Sequence, residues 1–196
     1  VFGPISGDAG LATADAKLTG TGASDQAGKV VASAGDVDND GNDDLLIAGY
    51  KNDDAGTNAG AAYLFYGPAT SGDLDTADAI LQGVSDQDMA GSWVGGAGDV
   101  DGDGYDDILV GAYRANVERE GNDISNVGIT YLLHGPVSGT TSLSAADASF
   151  IGVSENDQAG AQLSRAGDVN NDGYADFLIG AERADIDGDA DKGAAY

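Results

Sequence analysis

Short runs of consecutive apolar residues recur along the chain, and clusters of Gly, Asp and Asn separate them. The most regular runs are Leu45–Ala48, Ile108–Ala112 and Phe177–Ala181. Strands that are buried on both faces have continuous apolar runs of this kind, whereas half-exposed strands alternate. We therefore predict an all-β fold in which these runs are inner strands, and the pattern indicates no long amphipathic helix.

Further strands are predicted on both sides of each apolar run. A first strand precedes an acidic loop, a third strand stops at a Gly-Pro pair, and a weaker fourth strand forms an outer edge. Four strands per unit, with an inner strand buried on both faces, are typical of a β-propeller blade. The predicted first strands are Val30–Ala34, Trp93–Ala97 and Gln162–Ala166, the third strands are Ala61–Tyr66 and Ile129–His134, and the fourth strands are Ala79–Gly83 and Ser149–Gly152.

The chain repeats one unit three times, so we treat residues 1–196 as a single repeat region. Repeat 1 covers about 21–84, repeat 2 about 85–152 and repeat 3 about 153–196. The two ends share a motif, because Gly193–Tyr196 matches Gly60–Tyr63 and Val1–Pro4 matches Phe65–Pro68. Repeat 3 would therefore be completed by a strand equivalent to one within 1–20. Since propellers usually have four to eight blades, we expect a segment of a larger propeller or array, or copies joined by strand completion.

Each repeat carries an acidic loop with the pattern Asp-x-Asp/Asn-x-Asp-Gly-x-x-Asp between its first and second strands. Calcium prefers six to eight oxygen ligands, and alternating side chains on a tightly curled loop can supply them together with a backbone carbonyl after the glycine. We predict about three Ca²⁺ ions, one per repeat. The predicted ligands are Asp36, Asp38, Asp40, Asn42 and Asp44 in the first loop; Asp99, Asp101, Asp103, Tyr105 and Asp107 in the second; and Asp168, Asn170, Asp172, Tyr174 and Asp176 in the third, with Asn42, Tyr105 and Tyr174 contributing backbone carbonyls.

Two other interpretations fit these loops less well. An EF-hand needs a bidentate Glu at loop position twelve, but those positions are Ile47, Val110 and Ile179. Ordinary hairpin turns favour the same residue types, yet three in-register copies would leave clustered carboxylates repelling one another without a cation. Magnesium demands a tighter octahedral site. Because Asn170 replaces an aspartate, we predict that the third loop binds calcium most weakly.

Composition narrows the possible partners. Thirty-four acidic residues against eight basic ones give a formal net charge of −26, which disfavours nucleic acid and anionic membrane surfaces. Adaptation to high salt is an alternative source of some of this charge. There is no cysteine, so neither a disulfide framework nor a thiolate metal site is available. No apolar run reaches membrane-spanning length, and the start at Val1 indicates a processed product or a piece of a longer protein.

The loop and the strand after it resemble the FG-GAP repeat of integrin α-subunit propellers, in the version found in secreted bacterial proteins. The matching unit is Ala-Gly-Asp-Val-Asp-x-Asp-Gly-x-x-Asp followed by an apolar run and Gly-Ala. One departure is that Ala27-Gly28, Ala90-Gly91 and Ala159-Gly160 stand where the family has Phe-Gly. The resemblance implies calcium ions that brace the blades of a propeller, and an extracellular or cell-surface setting.

We therefore expect a calcium-binding, non-enzymatic extracellular module that serves structure or adhesion. With one histidine and no cysteine, the usual Ser or Cys triads cannot be assembled, and His134 takes the strand position of Tyr66. The alternative is an accessory or lectin-like ligand-binding domain of a secreted hydrolase or adhesin. Besides calcium, the expected partners are proteins, other copies of the repeat, or an extracellular ligand. Asp25, Asp88 and Asp157, three residues before each repeat glycine, suggest a shared turn.

Overall fold

The structure, a computed structural model, describes residues 1–3, 8 and 10–196. Pro4, part of the predicted match between Val1–Pro4 and Phe65–Pro68, lies outside the described residues. Short 3-10 turns form at Leu11–Thr13, Leu74–Thr76 and Leu143–Ala145. The described strands are β1 (Leu18–Thr19), β2 (Val31–Gly35), β3 (Asp44–Gly49), β4 (Ala61–Phe65), β5 (Gly72–Asp73), β6 (Ala79–Gln82), β7 (Trp93–Gly98), β8 (Asp107–Ala112), β9 (Val117–Arg119), β10 (Asn122–Ile124), β11 (Ile129–Leu133), β12 (Gly139–Ser142), β13 (Ala148–Ile151), β14 (Gln162–Gly167), β15 (Asp176–Ala181) and β16 (Ala194–Ala195).

Three sheets carry the repeats in chain order. The first has the order β2-β3-β4-β6 and the second the order β7-β8-β11-β13, with antiparallel pairing between neighbours. The third contains β14-β15-β16, and Tyr196 extends its last strand by exchanging backbone hydrogen bonds of 2.9 Å with Ile179. The all-β prediction is thus confirmed, and the acidic loops lie between the first and second strands of each sheet.

Strand boundaries differ from the predicted ones by a residue or so, and the differences have local causes. The second strand begins at the last loop aspartate, because Asp44 pairs with Gly35 across a β-bulge and Asp107 pairs with Gly98 in the same way. The third strand stops before Tyr66, whose backbone N–H donates instead to the Asp78 carboxylate at 2.8 Å.

The pattern of apolar positions did not predict the short parallel strands. β12 belongs to repeat 2 in sequence, yet it pairs in parallel with β6 on the outer edge of the first sheet. The equivalent segment of repeat 1, β5, pairs in parallel with β1. Each of these connections therefore covers the outer strand of the preceding unit. Together with the hairpin of β9 and β10, they complete the strands of the described chain.

The sheets are held together by apolar side chains between them. One core cluster joins Leu46 and Leu81 of the first sheet with Val94 and Val110 of the second, and another joins Leu109 of the second sheet with residues of the third. Each fully buried aliphatic side chain contributes about 1.5–3 kcal/mol. The first strands β2, β7 and β14 lie next to one another. The sheets are therefore propeller-like, although the described residues do not close a ring.

Within the described part of the chain, no helix has the length and apolar character needed to cross a membrane.

Candidate metal centre

Each acidic loop follows a strand that ends in a β-bulge, and the chain then curls back on itself. The curl needs left-handed backbone at two places. The glycine at the sixth position of the loop has φ of 94° at Gly41, 95° at Gly104 and 96° at Gly173, a region that is strained for residues with a Cβ. The position two residues earlier is also left-handed, at Asn39, Gly102 and Asn171, where Asn and Gly are tolerated.

In the first loop, backbone N–H groups fix the aspartate side chains. The Asp36 carboxylate accepts from the Asp40 N–H at 2.9 Å and from the Gly41 N–H at 2.9 Å. Asp38 accepts from the Asp40 N–H at 3.1 Å, and Asp40 accepts from the Asn42 N–H at 2.8 Å. These bonds turn the three side chains towards the inside of the loop.

The same bonds recur in the other two loops. In the second, Asp99 accepts from the Asp103 N–H at 3.2 Å and from the Gly104 N–H at 3.0 Å. In the third, Asp168 accepts from the Asp172 N–H at 3.1 Å and from the Gly173 N–H at 3.0 Å. The sequence repeat is therefore also a repeat of loop conformation.

The closing aspartates lie deeper than the rest of the loops. Asp44 and Asp107 are fully buried. Each receives two backbone N–H bonds, from Val37 (2.7 Å) and Gly67 (2.8 Å) to Asp44 and from Val100 and Gly135 to Asp107. Burial raises the pKa of both carboxyls, although these hydrogen bonds oppose the shift, and the neighbouring loop aspartates raise it further. A bound cation would reverse that balance by favouring the charged form.

Carboxylates converge in two of the loops. One oxygen from each of Asp36, Asp38 and Asp40 lies within 4.8 Å of the others, and the same holds for Asp99, Asp101 and Asp107. Calcium sits about 2.3–2.6 Å from its oxygens, so two oxygens on one ion are at most about 5.2 Å apart. The donor spacing and the all-oxygen chemistry therefore fit calcium. These groups omit Asp44 in the first loop and Asp103 in the second.

The third loop is the most exposed. Asp168 is exposed and Asp176 is half-buried, whereas Asp36 and Asp44 are half-buried and buried. Asn170 Oδ1 accepts from the Asp172 N–H at 2.8 Å, as its aspartate counterparts do, but its Nδ2 donates to the Asp172 carboxylate at 3.0 Å. This loop therefore offers fewer carboxylates. The ligand roles of all the predicted residues in the three loops, including the carbonyl roles of Asn42, Tyr105 and Tyr174, stay predictions.

Two side chains around the loops were not predicted from the sequence. His134 Nδ1 lies 2.9 Å from an oxygen of Asp101, although the sequence only placed His134 in a strand. Asp106 links neighbouring loops, because its carboxylate accepts from the Asp36 N–H at 3.1 Å and its own N–H donates to the Asp36 carbonyl at 3.1 Å. The third loop repeats only the backbone bond, from Ala175 N–H to the Asp99 carbonyl at 2.9 Å.

The recurrent aspartates before each repeat glycine are buried at 3–7% exposure. Asp88 accepts from the Ser85 N–H at 3.0 Å, and Asp157 accepts from the Ser154 N–H at 2.7 Å. Asp25 instead accepts from the side chain of Asn52 at 3.2 Å. Two of the three therefore close a local turn, as the spacing suggested.

Comparisons with known proteins agree with this geometry. The sequence model of the FG-GAP repeat matches residues 90–133 and 159–196, which contain the second and third loops. Integrin alpha-PS2 of Drosophila melanogaster is 40% identical over 103 residues, and the match covers 50% of this chain and 7% of that protein. The chain thus spans a small fraction of this relative's length. The resemblance drawn from the loop residues is confirmed.

Proposed function

Because this chain carries FG-GAP repeats and is related to an integrin α subunit, we propose that it is a calcium-binding, non-enzymatic structural module. The module would serve adhesion in an extracellular or cell-surface protein, where millimolar calcium fills even weak sites. We further propose that its three repeats, at about 21–84, 85–152 and 153–196, are blades of a larger propeller or array. The setting is taken from the relative's membership of the integrin family, and the blade bounds follow the sequence repeat.

The observation that carries the calcium proposal is the convergence of three carboxylates within 4.8 Å in each of two loops. Three carboxylates at such distances repel one another, most strongly in the second loop, where Asp107 is buried. The backbone bonds hold the carboxylates together, so the repulsion cannot be relieved by rotating them into solvent. A divalent cation would neutralise it and supply the electrostatic attraction that the loop itself lacks.

The residues of each loop would have distinct tasks. Asp36 and Asp99 would hold the loop closed through their backbone bonds while contributing an oxygen to the ion. Asp44 and Asp107 would tie the loop to the third strand of the sheet, because each also accepts from a glycine N–H at the end of that strand, Gly67 or Gly135. Calcium would thus brace the second and third strands together.

A structural role is favoured over catalysis by the use already made of these carboxylates. A catalytic acid or base needs a free proton position facing a substrate. In the loops, both carboxylate oxygens of Asp36 and Asp99 accept from backbone N–H groups, and one oxygen of Asp40 does so. The one histidine is engaged with Asp101. We therefore propose no reaction for this chain.

Thermal unfolding with calcium and with chelator tests the proposal. We expect chelation to lower the melting temperature by several degrees, since ligands that bind only the folded state stabilise it. A double variant, Asp38→Asn with Asp101→Asn, should lose most of this difference. The matched control, Asp75→Asn with Asp123→Asn, makes the same charge change at exposed positions outside the loops and should keep it. A melting temperature unchanged by chelation would refute structural calcium.

A ligand-binding role is the second candidate, and one groove favours it. A cavity of about 190 Å³ is lined by Tyr50, Tyr113, Lys29 and Gln162 among others, and the Lys29 ammonium lies 4.2 Å from the Tyr50 ring centre. Aromatic faces with nearby polar groups suit sugars or peptides. Screening glycans and matrix proteins against the native chain and a Tyr50→Ala, Tyr113→Ala variant tests this alternative.

A further inference from the structure

The basic residues of the chain are concentrated at one end of the sheets. Lys51, Arg114 and Arg183 occupy equivalent positions, because each stands two residues after the end of the second strand of its sheet. Lys29 lies at the same end, because it precedes β2, which runs antiparallel to β3. Four of the eight basic residues therefore lie at the end of the strands that is opposite to the acidic loops.

These four cations are unpaired although the chain is rich in possible partners. Acidic residues outnumber basic ones by 34 to 8, so a cation has many carboxylates with which it could pair. Among the residues that the structure describes, however, none of the four has a carboxylate oxygen within 4.0 Å, and the ion pairs belong to His134, Arg165 and Lys192. This end of the sheets therefore offers positive charge to an external anion.

The groove of about 190 Å³ lies among these cations. The other three basic residues each directly follow one of its lining residues in the sequence. Pockets for drug-sized molecules hold about 300–1,000 Å³, so this groove suits a single small unit such as one sugar ring. All three repeats contribute to its lining, which includes Lys29, Tyr50, Ser92, Gln158, Gln162 and Glu182.

One aromatic ring holds two of the positive charges beside the groove. The Lys29 ammonium lies 4.2 Å from the centre of the Tyr50 ring, and the Lys51 ammonium lies 5.7 Å from it. The ring itself is fixed, because it is buried and its hydroxyl donates to Gln26 Oε1 at 2.8 Å. Contacts between an ammonium and an aromatic ring are attractive. A carboxylate in the groove would therefore meet ammonium groups that lose little freedom when it binds.

The other polar groups of the groove indicate which kind of anion fits. An acidic side chain of a protein needs only donors around its carboxylate, and the carboxylate of Glu182 would repel it. Sugar hydroxyls both donate and accept hydrogen bonds, and the side-chain amides of Gln158 and Gln162 do the same. Glu182 can then accept from a sugar hydroxyl. The mixture of donors and acceptors therefore favours a sugar that carries a carboxylate.

The net charge of −26 limits how much charge the ligand can carry. The six-residue strand β3 separates Asp44 of the first loop from Tyr50, a distance of about 20 Å at about 3.3 Å per residue. This exceeds the screening length of about 8 Å at physiological salt, so a single carboxylate in the groove is largely shielded from the loops. A polyanion would extend from the groove over the acidic surface and be repelled.

We propose that this groove binds one carboxylated sugar residue at the end of a glycan. The sugar carboxylate lies beside Lys29, and its hydroxyls bond to Gln162 and Glu182. Lys51, Arg114 and Arg183 raise the local positive potential without contacting the sugar. This assigns a ligand class to the ligand-binding role that is the second candidate function, and it rests on that role but not on calcium binding.

Titration of the native chain in calcium, followed by NMR, tests the proposal with two matched ligands. Methyl glucuronide supplies a carboxylated sugar ring, and methyl glucoside supplies a neutral ring of the same shape. We expect a Kd of roughly 1 mM for the glucuronide, as its small size dictates, with shifts at the backbone signals of Lys29 and Gln162. The glucoside should bind at least roughly fivefold more weakly, because it lacks the charge-assisted contact.

Variants of the groove separate the two parts of the site. Lys29→Met keeps the aliphatic stem but removes the charge, so it should weaken glucuronide binding by roughly tenfold and leave glucoside binding unchanged. Lys17→Met makes the same change at an exposed lysine outside the groove and should bind the glucuronide like the native chain. Glu182→Ala should weaken both sugars, because it removes the acceptor for a hydroxyl. Lys29→Met should also keep the melting shift caused by chelation, which separates this proposal from the calcium proposal.

Equal affinity for the two sugars, or no effect of Lys29→Met, would overturn the proposal. Tighter glucuronide binding by Glu182→Ala would also overturn it, since the groove would then accept any carboxylate, including that of an acidic peptide. Long hyaluronan, a polymer that contains the same uronic acid, should bind more weakly per residue than the glucuronide at about 0.01 M salt, and the opposite result would exclude a single terminal sugar. Neutral glycans that bind independently of Lys29 would refute this ligand class alone, whereas a screen without any bound ligand would also refute the ligand-binding role.

Discussion

At the scale of single residues, each loop is organised by bonds between its own aspartates and its own backbone. Asp36, Asp99 and Asp168 each accept two N–H groups from the same two later positions. The loops differ in the number of carboxylates that they carry and in how deeply these side chains are buried. Calcium affinity in oxygen sites follows the number of charged ligands and the rigidity of the loop.

Exchanging the asparagine of the third loop for aspartate is expected to tighten calcium binding there. Asn170 occupies the position of Asp38 and Asp101, so Asn170→Asp adds a carboxylate to the group that is proposed to bind calcium. The reverse change, Asp38→Asn, should weaken calcium binding at the first loop. Each substitution should change the affinity of its loop by roughly tenfold. Calorimetric titration of the native chain and both variants measures this. Tighter binding at the native third loop than at the first would contradict the expected ranking.

The Asp88 carboxyl is expected to make stability depend on pH. Burial raises its pKa to about 6 despite hydrogen bonds from Ser85 and Asn116, so the folded state keeps this proton where the unfolded chain, with a pKa of about 3.8, has lost it. Stability from this group is therefore present at low pH and lost as pH rises through about 4 to 6. Asp88→Asn mimics the neutral form and should remove the loss.

The test compares unfolding free energies of Asp88→Asn and the native chain at fixed calcium. Their difference should grow by about 2–3 kcal/mol in favour of the variant between about pH 4 and pH 7. The exposed Asp75→Asn serves as the charge-matched control and should show no such trend. A difference that stays constant with pH would show that folding does not raise the pKa of Asp88.

At the scale of elements, neighbouring loops and sheets are connected by contacts that cross the repeat boundary. Asp106 joins the second loop to the first, and β12 joins repeat 2 to the first sheet. Local sequence could not predict either contact. Gly139–Ser142 has little strand character on its own, and its extended form depends on pairing with β6, which precedes it by a whole unit.

The loops and inner strands could be predicted because their signals are local. Asp-x-Asp-x-Asp-Gly specifies a curled acidic loop within a few residues, and a run such as Ile108–Ala112 specifies a strand buried on both faces. The contact of His134 with Asp101 could not be predicted, because it depends on how the third strand lies beside the loop. The pattern likewise did not show that Asp44 and Asp107 lie deeper than the other loop aspartates.

Removing the Asp106 side chain is expected to weaken the first loop rather than its own. Asp106→Ala leaves the Asp36 N–H without its carboxylate partner, which should cost about 1–2 kcal/mol of stability and lower calcium affinity at the first loop. Asp43→Ala makes the same change at the equivalent, exposed position of repeat 1 and serves as the control. Equal effects of the two variants on unfolding would show that Asp106 does not connect the loops.

Leu143 and Leu11 each begin a short 3-10 turn, but truncating them should have different effects on stability. Leu143→Ala removes a side chain that is 1% exposed and should destabilise the fold by about 2–5 kcal/mol. Leu11→Ala, at 82% exposure, should leave the denaturant midpoint almost unchanged in dilute solution. Similar losses for both variants would mean that Leu11 is buried within its own chain.

At the scale of the whole molecule, a net charge of −26 opposes compaction, because like charges over the surface repel one another. Part of this charge is confined to the loops, where a cation can neutralise it locally. The remainder is spread over exposed positions such as Asp75 and Asp123, where only mobile ions can screen it.

Added monovalent salt is therefore expected to stabilise the calcium-free protein more than the calcium-loaded one. Salt shortens the screening length from about 30 Å at 0.01 M to about 10 Å at 0.1 M, which weakens the repulsion among the uncompensated loop carboxylates. Melting curves across this range, with chelator and with calcium, measure the difference. An equal rise in both conditions would assign the salt effect to the general surface charge.

Because β12 of repeat 2 pairs with β6 of repeat 1, the loss of a repeat during evolution would affect more than one sheet. The sequence repeat and the folded sheet have different boundaries, since the outer strand of the first sheet is paired only when the following repeat supplies β12. Deleting repeat 2 would remove its own sheet and also uncover the outer strand of repeat 1. Losing an internal repeat without exposing β6 therefore requires the next repeat to supply the same strand.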